Sequence, residues 1–238
     1  MKHLPNALTM ANLFCGCCAL LYTMYWQPEI AALFTAGSFL CDYLDGMTAR
    51  ALKVSSPLGK ELDSLADVVS FGVVPGAMLY QMLAGEPGFS KLAEGFPVQP
   101  TALPAFVLSA FSALRLAKFN LDTRQSRYFI GLSTPACTVL VLGLALSAHH
   151  DRFGLAELIT NPWFLYGITG VLSWLLLSEI PMFGMKIKGF DLAGNAVNIA
   201  FVILFVLLVL VLKELALTAI IVFYLLISII FKNKVLES

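Results

Sequence analysis

Eight apolar segments, each close to the length a helix needs to cross a bilayer, dominate this 238-residue chain: residues 8–26, 30–52, 58–83, 102–117, 130–148, 162–180, 196–212 and 215–231. A transmembrane helix takes about 20 mainly apolar residues, within a range of about 17 to 25. Inside a bilayer every backbone amide must find its partner within the protein, and a lone run of this length does so only as a helix. Composition agrees, because 59% of the residues are apolar and only 13% are charged, against about 25% charged in soluble domains. The chain therefore predicts an all-α, polytopic integral membrane protein with eight transmembrane helices, forming a single domain over residues 1–238. Only Lys213 and Glu214 separate the last two segments, so residues 196–231 form a tight C-terminal helical hairpin behind a six-helix bundle.

Fifteen basic and fifteen acidic residues cancel, and without a basic stripe nothing suggests nucleic acid as a partner. The placement of the basic residues says more than their sum, because cytoplasmic loops carry the Lys/Arg excess. With the N-terminus inside, twelve fall on the inner side (Lys2, Arg50, Lys53, Lys60, Arg115, Lys118, Arg124, Arg127, Lys186, Lys188, Lys232, Lys234) and three outside (Lys91, Arg152, Lys213). Both termini are then cytoplasmic, in the cell (inner) membrane. Lys2 followed by a long apolar run without a small-x-small site reads as an uncleaved first span. Cys15, Cys17 and Cys18 are spread around a helix axis and read as apolar filler, not as a metal site.

Two carboxylate pairs stand against this apolar background. Asp42 and Asp45 are three apart at the end of the second segment, Asp63 and Asp67 four apart in the third. Each pair shares a helix face, and a short inner loop makes the two helices antiparallel neighbours, so the four carboxylates converge near the cytoplasmic surface. A carboxylate at membrane depth costs about 2.5–3.5 kcal/mol on insertion scales, and four together repel, so cations must neutralise them. Hard oxygen ligands select Mg²⁺, Mn²⁺ or Ca²⁺, and two such ions are the usual device for displacement at phosphorus. Gly46 and Ala49 leave space beside the pair, and Arg50 and Ser56 follow with groups suited to phosphate oxygens. The crevice suits a diphosphate. A structural network, with an aspartate paired to Arg50 or Lys60, is the bland alternative.

The run Asp42, Asp45, Gly46, Ala49, Arg50, Gly59, Asp63, Asp67 resembles the signature of the CDP-alcohol phosphotransferases, D-x-x-D-G-x-x-A-R-x8-G-x-x-x-D-x-x-x-D, at all eight positions over residues 42–67. The resemblance implies a divalent-metal enzyme whose CDP-activated donor, such as CDP-diacylglycerol, binds by its diphosphate. It implies that Asp42 and Asp63 bridge two metals, that Asp45 completes one site, and that Asp67 serves the other while acting as general base. It also gives Gly46, Arg50 and Ser56 to the nucleotide part. The opening P-N-A-L-T is similar to the family's short donor-binding segment, where Asn6 and Thr9 contact cytidine or phosphates, with an N-capping role for Asn6 equally open.

The acceptor is chosen outside the signature. P-N-A-L-T-M-A-N-L-F-C-G, S-F-G-V-V-P-G, A-L-R-L-A-K-F-N and Y-F-I-G-L-S-T-P resemble the bacterial and archaeal phosphatidylserine synthases of this family, with Lys118 where Arg is common and Ser133-Thr134-Pro135 where Pro-Ser-Pro is common. L-serine is then the acceptor, its carboxylate met by Arg115, Lys118 and Asn120, with Arg124 and Arg127 explained by the positive-inside rule. The resemblance also implies a homodimer. The same chemistry on glycerol 3-phosphate or an inositol phosphate, and a cation transporter or channel using the aspartates, are the rival readings. Glu179 reads as interfacial, and His3, His149 and His150 receive no role.

Overall fold

Prolines and small polar residues set where the helices begin. Pro5, Pro28, Pro57, Pro75, Pro135 and Pro162 each lie in the first turn of a helix, where a missing N–H has no partner to lose. Ser56, Ser133 and Asn161 stand just before three of these helices, and their side-chain oxygens accept from the backbone N–H of Gly59 (3.0 Å), Ala136 (3.3 Å) and Trp163 (2.9 Å). These are N-caps, worth about 1 kcal/mol each.

The computed structural model describes residues 3–54, 56–85, 98–122, 129–182 and 196–230, with side chains from residue 203 onward in the last stretch. Arg124 and Arg127, with Lys2, Lys91, Lys186, Lys188, Lys232 and Lys234, lie outside the described residues. The long helices are α1 (Leu4–Met24), α2 (Pro28–Leu52), α3 (Pro57–Asp67), α4 (Val74–Ala84), α5 (Val107–Leu121), α6 (Thr134–His150), α8 (Pro162–Leu177), α9 (Ala196–Leu212) and α10 (Leu215–Ile230), with one short turn, α7 (Ala156–Ile159), before α8. A π-helical run, Val68–Val73, joins α3 to α4, and a 3₁₀ run, Pro100–Phe106, leads into α5. The eight apolar segments are therefore helical, and the chain is a helical membrane protein. The helices Leu4–Met24, Pro57–Ala84 and Pro100–Leu121 are long and apolar enough to cross a membrane by length and composition. At 16 or 17 residues, α6, α8 and α10 cover about 25 Å each at 1.5 Å per residue, slightly less than a full apolar core.

Two segment ends differ from the sequence-based bounds. Residues 130–133 leave the sixth long helix because Gly131 takes φ +74°, a left-handed conformation no α-helix admits. Beyond Leu177 the chain extends at Ser178 and runs into Pro181, which disfavours helix in the residue before it. The two freed ends pair as a short antiparallel ladder, β1 (Phe129–Ile130) with β2 (Pro181–Met182). Gly131 N–H donates to Ile180 O at 2.9 Å and Leu132 N–H to Leu175 O at 3.0 Å.

The continuous unit α3–π–α4 contains Pro75, which cannot donate to the turn before it. In that turn the carbonyls of Phe71 and Gly72 accept instead from the hydroxyls of Thr138 (3.0 Å) and Ser109 (2.9 Å), on α6 and α5, the way a helix interruption is tolerated at membrane depth. Side-chain hydroxyls of neighbouring helices thus hold the segment that follows Asp67. The fully buried core, with Met78, Leu79, Leu108, Leu140, Leu165 and Leu172, lies between α4, α5, α6 and α8.

Among the described residues the C-terminal hairpin packs on α6 through α10. Thr218 Oγ1 donates to Leu140 O at 3.0 Å, and a Cβ at Gly143 would stand 2.5 Å from Thr218 Oγ1 and 2.7 Å from its backbone N. On α9 the described side chains from Ile203 to Val211 are largely exposed, as expected of a lipid-facing helix. At the end of the bundle remote from the aspartates, Glu29 lies 3.7 and 3.5 Å from the Nε2 atoms of His149 and His150, and Glu214 lies 3.7 Å from His150 Nε2 and 3.0 Å from Arg152 Nε. The histidines thus join the α1–α2 turn, the end of α6 and the hairpin turn. Gly143→Leu should push α10 from α6 and lower stability by about 1–3 kcal/mol, the usual range for overpacking. Gly170→Leu, on a surface with nothing within 4 Å, should leave it unchanged. Thermal unfolding in detergent measures both.

Candidate active site

Three helices build the site. Asp42, Asp45, Gly46, Ala49 and Arg50 ride on the last turns of α2, Gly59, Asp63 and Asp67 on α3, and α1 packs along both. The buried face of α1 is a stripe of small and polar residues, Pro5, Thr9, Asn12, Gly16, Ala19 and Thr23, spaced alternately four and three apart. Small residues let helix backbones approach closely in a bilayer, and a Cβ at Gly16 would collide with Ser70.

Asp42, Asp63 and Asp67 each offer a carboxylate oxygen, all within 4.8 Å of one another. Asp63 Oδ1 is buried with no hydrogen-bond partner among the described residues. An oxygen left so costs about 1–3 kcal/mol, more if charged, and three facing carboxylates repel. Both observations fit a divalent cation, and the oxygen-only donor set suits a hard one. Asp45, 6% exposed, stands to one side, its Oδ2 2.6 Å from the hydroxyl of Thr9. Asp67 Oδ1 accepts from Asn12 Nδ2 at 3.2 Å.

Two cavities open from this cluster. The first, about 230 Å³, is lined by Asn6, Thr9, Asp45, Gly46, Ala49, Ser56, Gly59, Lys60 and Asp63 with Pro5 and Val54. It gathers every residue expected at the donor except Arg50. A Cβ at Gly59 would lie 3.2 Å from Asn6 Oδ1, and one at Gly46 3.3 Å from Arg50 Nη1, so the bare glycines give both side chains their room. Asn6 lies within the first turn of α1 and His3 stands at its N-cap, so a capping role for Asn6 is not realised. Ser56 both caps α3 and lines the cavity.

The second cavity, about 480 Å³, has Asp42, Asp45, Gly46, Arg50, Asp63 and Asp67 on one side and Arg115, Phe119 and the run Ser133–Thr134–Pro135 on the other. Asp45, Gly46 and Asp63 line both cavities. Arg115 is 7% exposed, its guanidinium carbon 5.7 Å from the Phe119 ring centroid, and its Nε has no partner among the described residues. Lys118 turns away into a third cavity. Asn120 lines none of the three; its side chain donates to Ser64 Oγ at 2.7 Å and its carbonyl accepts from Lys60 at 2.9 Å, tying α5 to α3.

Asn12 was not singled out from the sequence. Fully buried, it donates to Asp67, and its carbonyl lies 3.1 Å from Ser38 Oγ and 3.2 Å from Ser70 Oγ. The available signal was an amide inside an apolar span, a costly placement that calls for a partner.

Residues 2–178 match the family model described as CDP-alcohol phosphatidyltransferase. The curated relatives include proteins named CDP-diacylglycerol--serine O-phosphatidyltransferase. The one from Mycobacterium leprae is 35% identical over 190 residues, covering 76% of this chain and 58% of its own length. That from Bacillus subtilis is 31% identical over 180 residues, covering 76% and 89%, and that from Helicobacter pylori strain J99 36% identical over 178 residues, covering 74% and 70%. The matched region thus spans about three fifths of the length of the mycobacterial relatives.

Proposed function

The chain belongs to the CDP-alcohol phosphatidyltransferase family, and from that premise we propose that it transfers the phosphatidyl group of CDP-diacylglycerol to the hydroxyl of L-serine, giving phosphatidylserine and CMP. The observation that carries this reading is the pair of cavities meeting at Asp45, Gly46 and Asp63, with the carboxylate triad at their junction. A donor with its nucleotide in the first cavity presents its diphosphate where the second begins, and an acceptor in the second arrives beside Asp67.

In this reading Asn6, Thr9, Gly46 and Ser56 shape the nucleotide end, and the guanidinium of Arg50 meets a phosphate oxygen. Asp42, Asp45, Asp63 and Asp67 hold two divalent ions, Mg²⁺ or Mn²⁺, with Ca²⁺ also admissible. Bound there, the ions supply positive charge to the diphosphate as it gains negative charge in the displacement. Asn12 fixes Asp67 by donating to one oxygen, leaving the other to take the proton of the serine hydroxyl. As the serine oxygen bonds to the lipid-linked phosphorus, the bond from that phosphorus to the oxygen of CMP breaks, and CMP departs. Arg115 holds the serine carboxylate, with Lys118 nearby. Eight spans, a cytoplasmic catalytic end with both termini on that side, and a homodimer complete the reading.

The test is CMP release by the purified protein from CDP-diacylglycerol with Mg²⁺ or Mn²⁺ and one acceptor at a time. L-serine should support release with phosphatidylserine as product. Release with glycerol 3-phosphate or an inositol phosphate but not with serine would overturn the acceptor, and cation flux without any CMP would overturn the reaction.

A further inference from the structure

Lys60 stands between the two substrate cavities. It lies exposed in the first turn of α3 and is the only Lys or Arg among the described residues that line the first cavity. Its ammonium donates to Asn120 O at 2.9 Å, one of the last four carbonyls of α5, which a helix leaves without partners of its own. A basic group there also meets the negative end of the helix. An ammonium has three N–H donors, and among the described residues this is the one hydrogen bond it makes, so two donors stay open at the cavity. Asn120 is tied to α3 a second time: its side chain donates to Ser64 Oγ at 2.7 Å, and that hydroxyl donates to Lys60 O at 3.2 Å. The end of α5 therefore follows Lys60 and Ser64. That end carries Arg115, Leu116 and Phe119 into the second cavity, which neither Lys60 nor Ser64 lines.

Resting on the donor and acceptor assigned under Proposed function, we propose that Lys60 couples their two sites. Its ammonium donates to a phosphate oxygen of the nucleotide in the first cavity while it still holds Asn120 O, and so fixes the end of α5 that presents Arg115 to the acceptor. The charge selects a phosphate over the neutral groups of the nucleoside, because charge-assisted hydrogen bonds are about twice as strong as neutral ones. The start of α3, capped by Ser56, adds the positive end of a helix on the same side of the cavity. A filled first cavity thus raises affinity in the second, and by linkage the reverse holds. Lys60 binds the donor and positions the acceptor site, and it touches no atom that reacts.

The test uses purified full-length protein in Mg²⁺, with CMP and cytidine as probes whose binding is read from the rise in unfolding temperature. Lys60 is exposed, so its variants should fold. Lys60→Gln should weaken CMP about 5-fold or more and leave cytidine within about twofold, and Lys60→Arg should recover part of the loss by keeping the charge. In CMP release with the donor saturating, Lys60→Gln should raise the serine KM about threefold or more at a kcat within about twofold. Ser64→Ala, which cuts the second tie of Asn120, should raise the serine KM and leave CMP binding unchanged. A Lys60 that only caps α5 would lower the unfolding temperature in Lys60→Gln with CMP binding intact, and that result overturns the proposal. Equal weakening of CMP and cytidine overturns it as well, as does an unchanged serine KM in either variant. Wild-type protein that releases CMP with other alcohols but not with serine overturns the acceptor instead. The KM compared is then that of the alcohol it does use, so the two failures are told apart.

Discussion

Asp67→Asn lowers the rate of CMP release by about 10²- to 10⁴-fold, the range for removal of a general base. The substitution is isosteric, and the amide oxygen it introduces can still accept from Asn12 Nδ2, as Asp67 Oδ1 does at 3.2 Å. The tie between α3 and α1 therefore persists and the protein should fold. What is lost is the charge and the capacity to take a proton. The KM for CDP-diacylglycerol should move less than in Asp42→Asn, because the proposed base acts on the acceptor. Steady-state kinetics of both variants measures this, and near-normal turnover in Asp67→Asn would move the base elsewhere in the second cavity.

Removal of divalent metal by chelation and dialysis should bring CMP release to background, with recovery on adding Mg²⁺ or Mn²⁺. The carboxylates of Asp42, Asp63 and Asp67 face one another within 4.8 Å, and without cations they would repel a diphosphate. Stability gives a readout independent of activity, since a ligand of the folded state at 100 times its Kd stabilises by about 2.7 kcal/mol. Added Mg²⁺ or Mn²⁺ should raise the unfolding temperature of the metal-stripped wild type, and do so less in Asp63→Asn, where Oδ1 has no other partner among the described residues. Full activity after stripping, or an unfolding temperature indifferent to the ions, would contradict the metal reading.

What the sequence made legible was local. A run of apolar residues must be helical in a bilayer wherever it packs, so each of the eight segments is helical; the caps at Ser56 and Ser133, by contrast, show only in the structure. Carboxylates three and four apart fall on one face because of the helical repeat, which brings Asp42, Asp63 and Asp67 together once α2 and α3 are antiparallel. Features that depend on distant partners were not legible. The ladder between β1 and β2, which moves Ser133 and Glu179 out of helices, needs a contact across more than fifty residues. Asn12 matters only because Asp67, Ser38 and Ser70 meet it. Lys118 and Asn120 follow Arg115 closely in sequence, yet one lines the third cavity and the other braces α3, because positions two apart on a helix point in nearly opposite directions.

The contacts of α1 also bear on the order in which the protein is made. A chain emerges from the ribosome N-terminus first, so Thr9 and Asn12 precede Asp45 and Asp67, their partners at 2.6 and 3.2 Å. When α2 arrives its buried carboxylate meets a hydroxyl already at that depth, and when α3 follows Asp67 meets an amide. Neither acid has to enter lipid alone, at about 2.5–3.5 kcal/mol apiece. The first helix is thus a template for biogenesis, and a chain whose α1 carried only aliphatic residues would meet its obstacle during insertion, before any substrate is encountered.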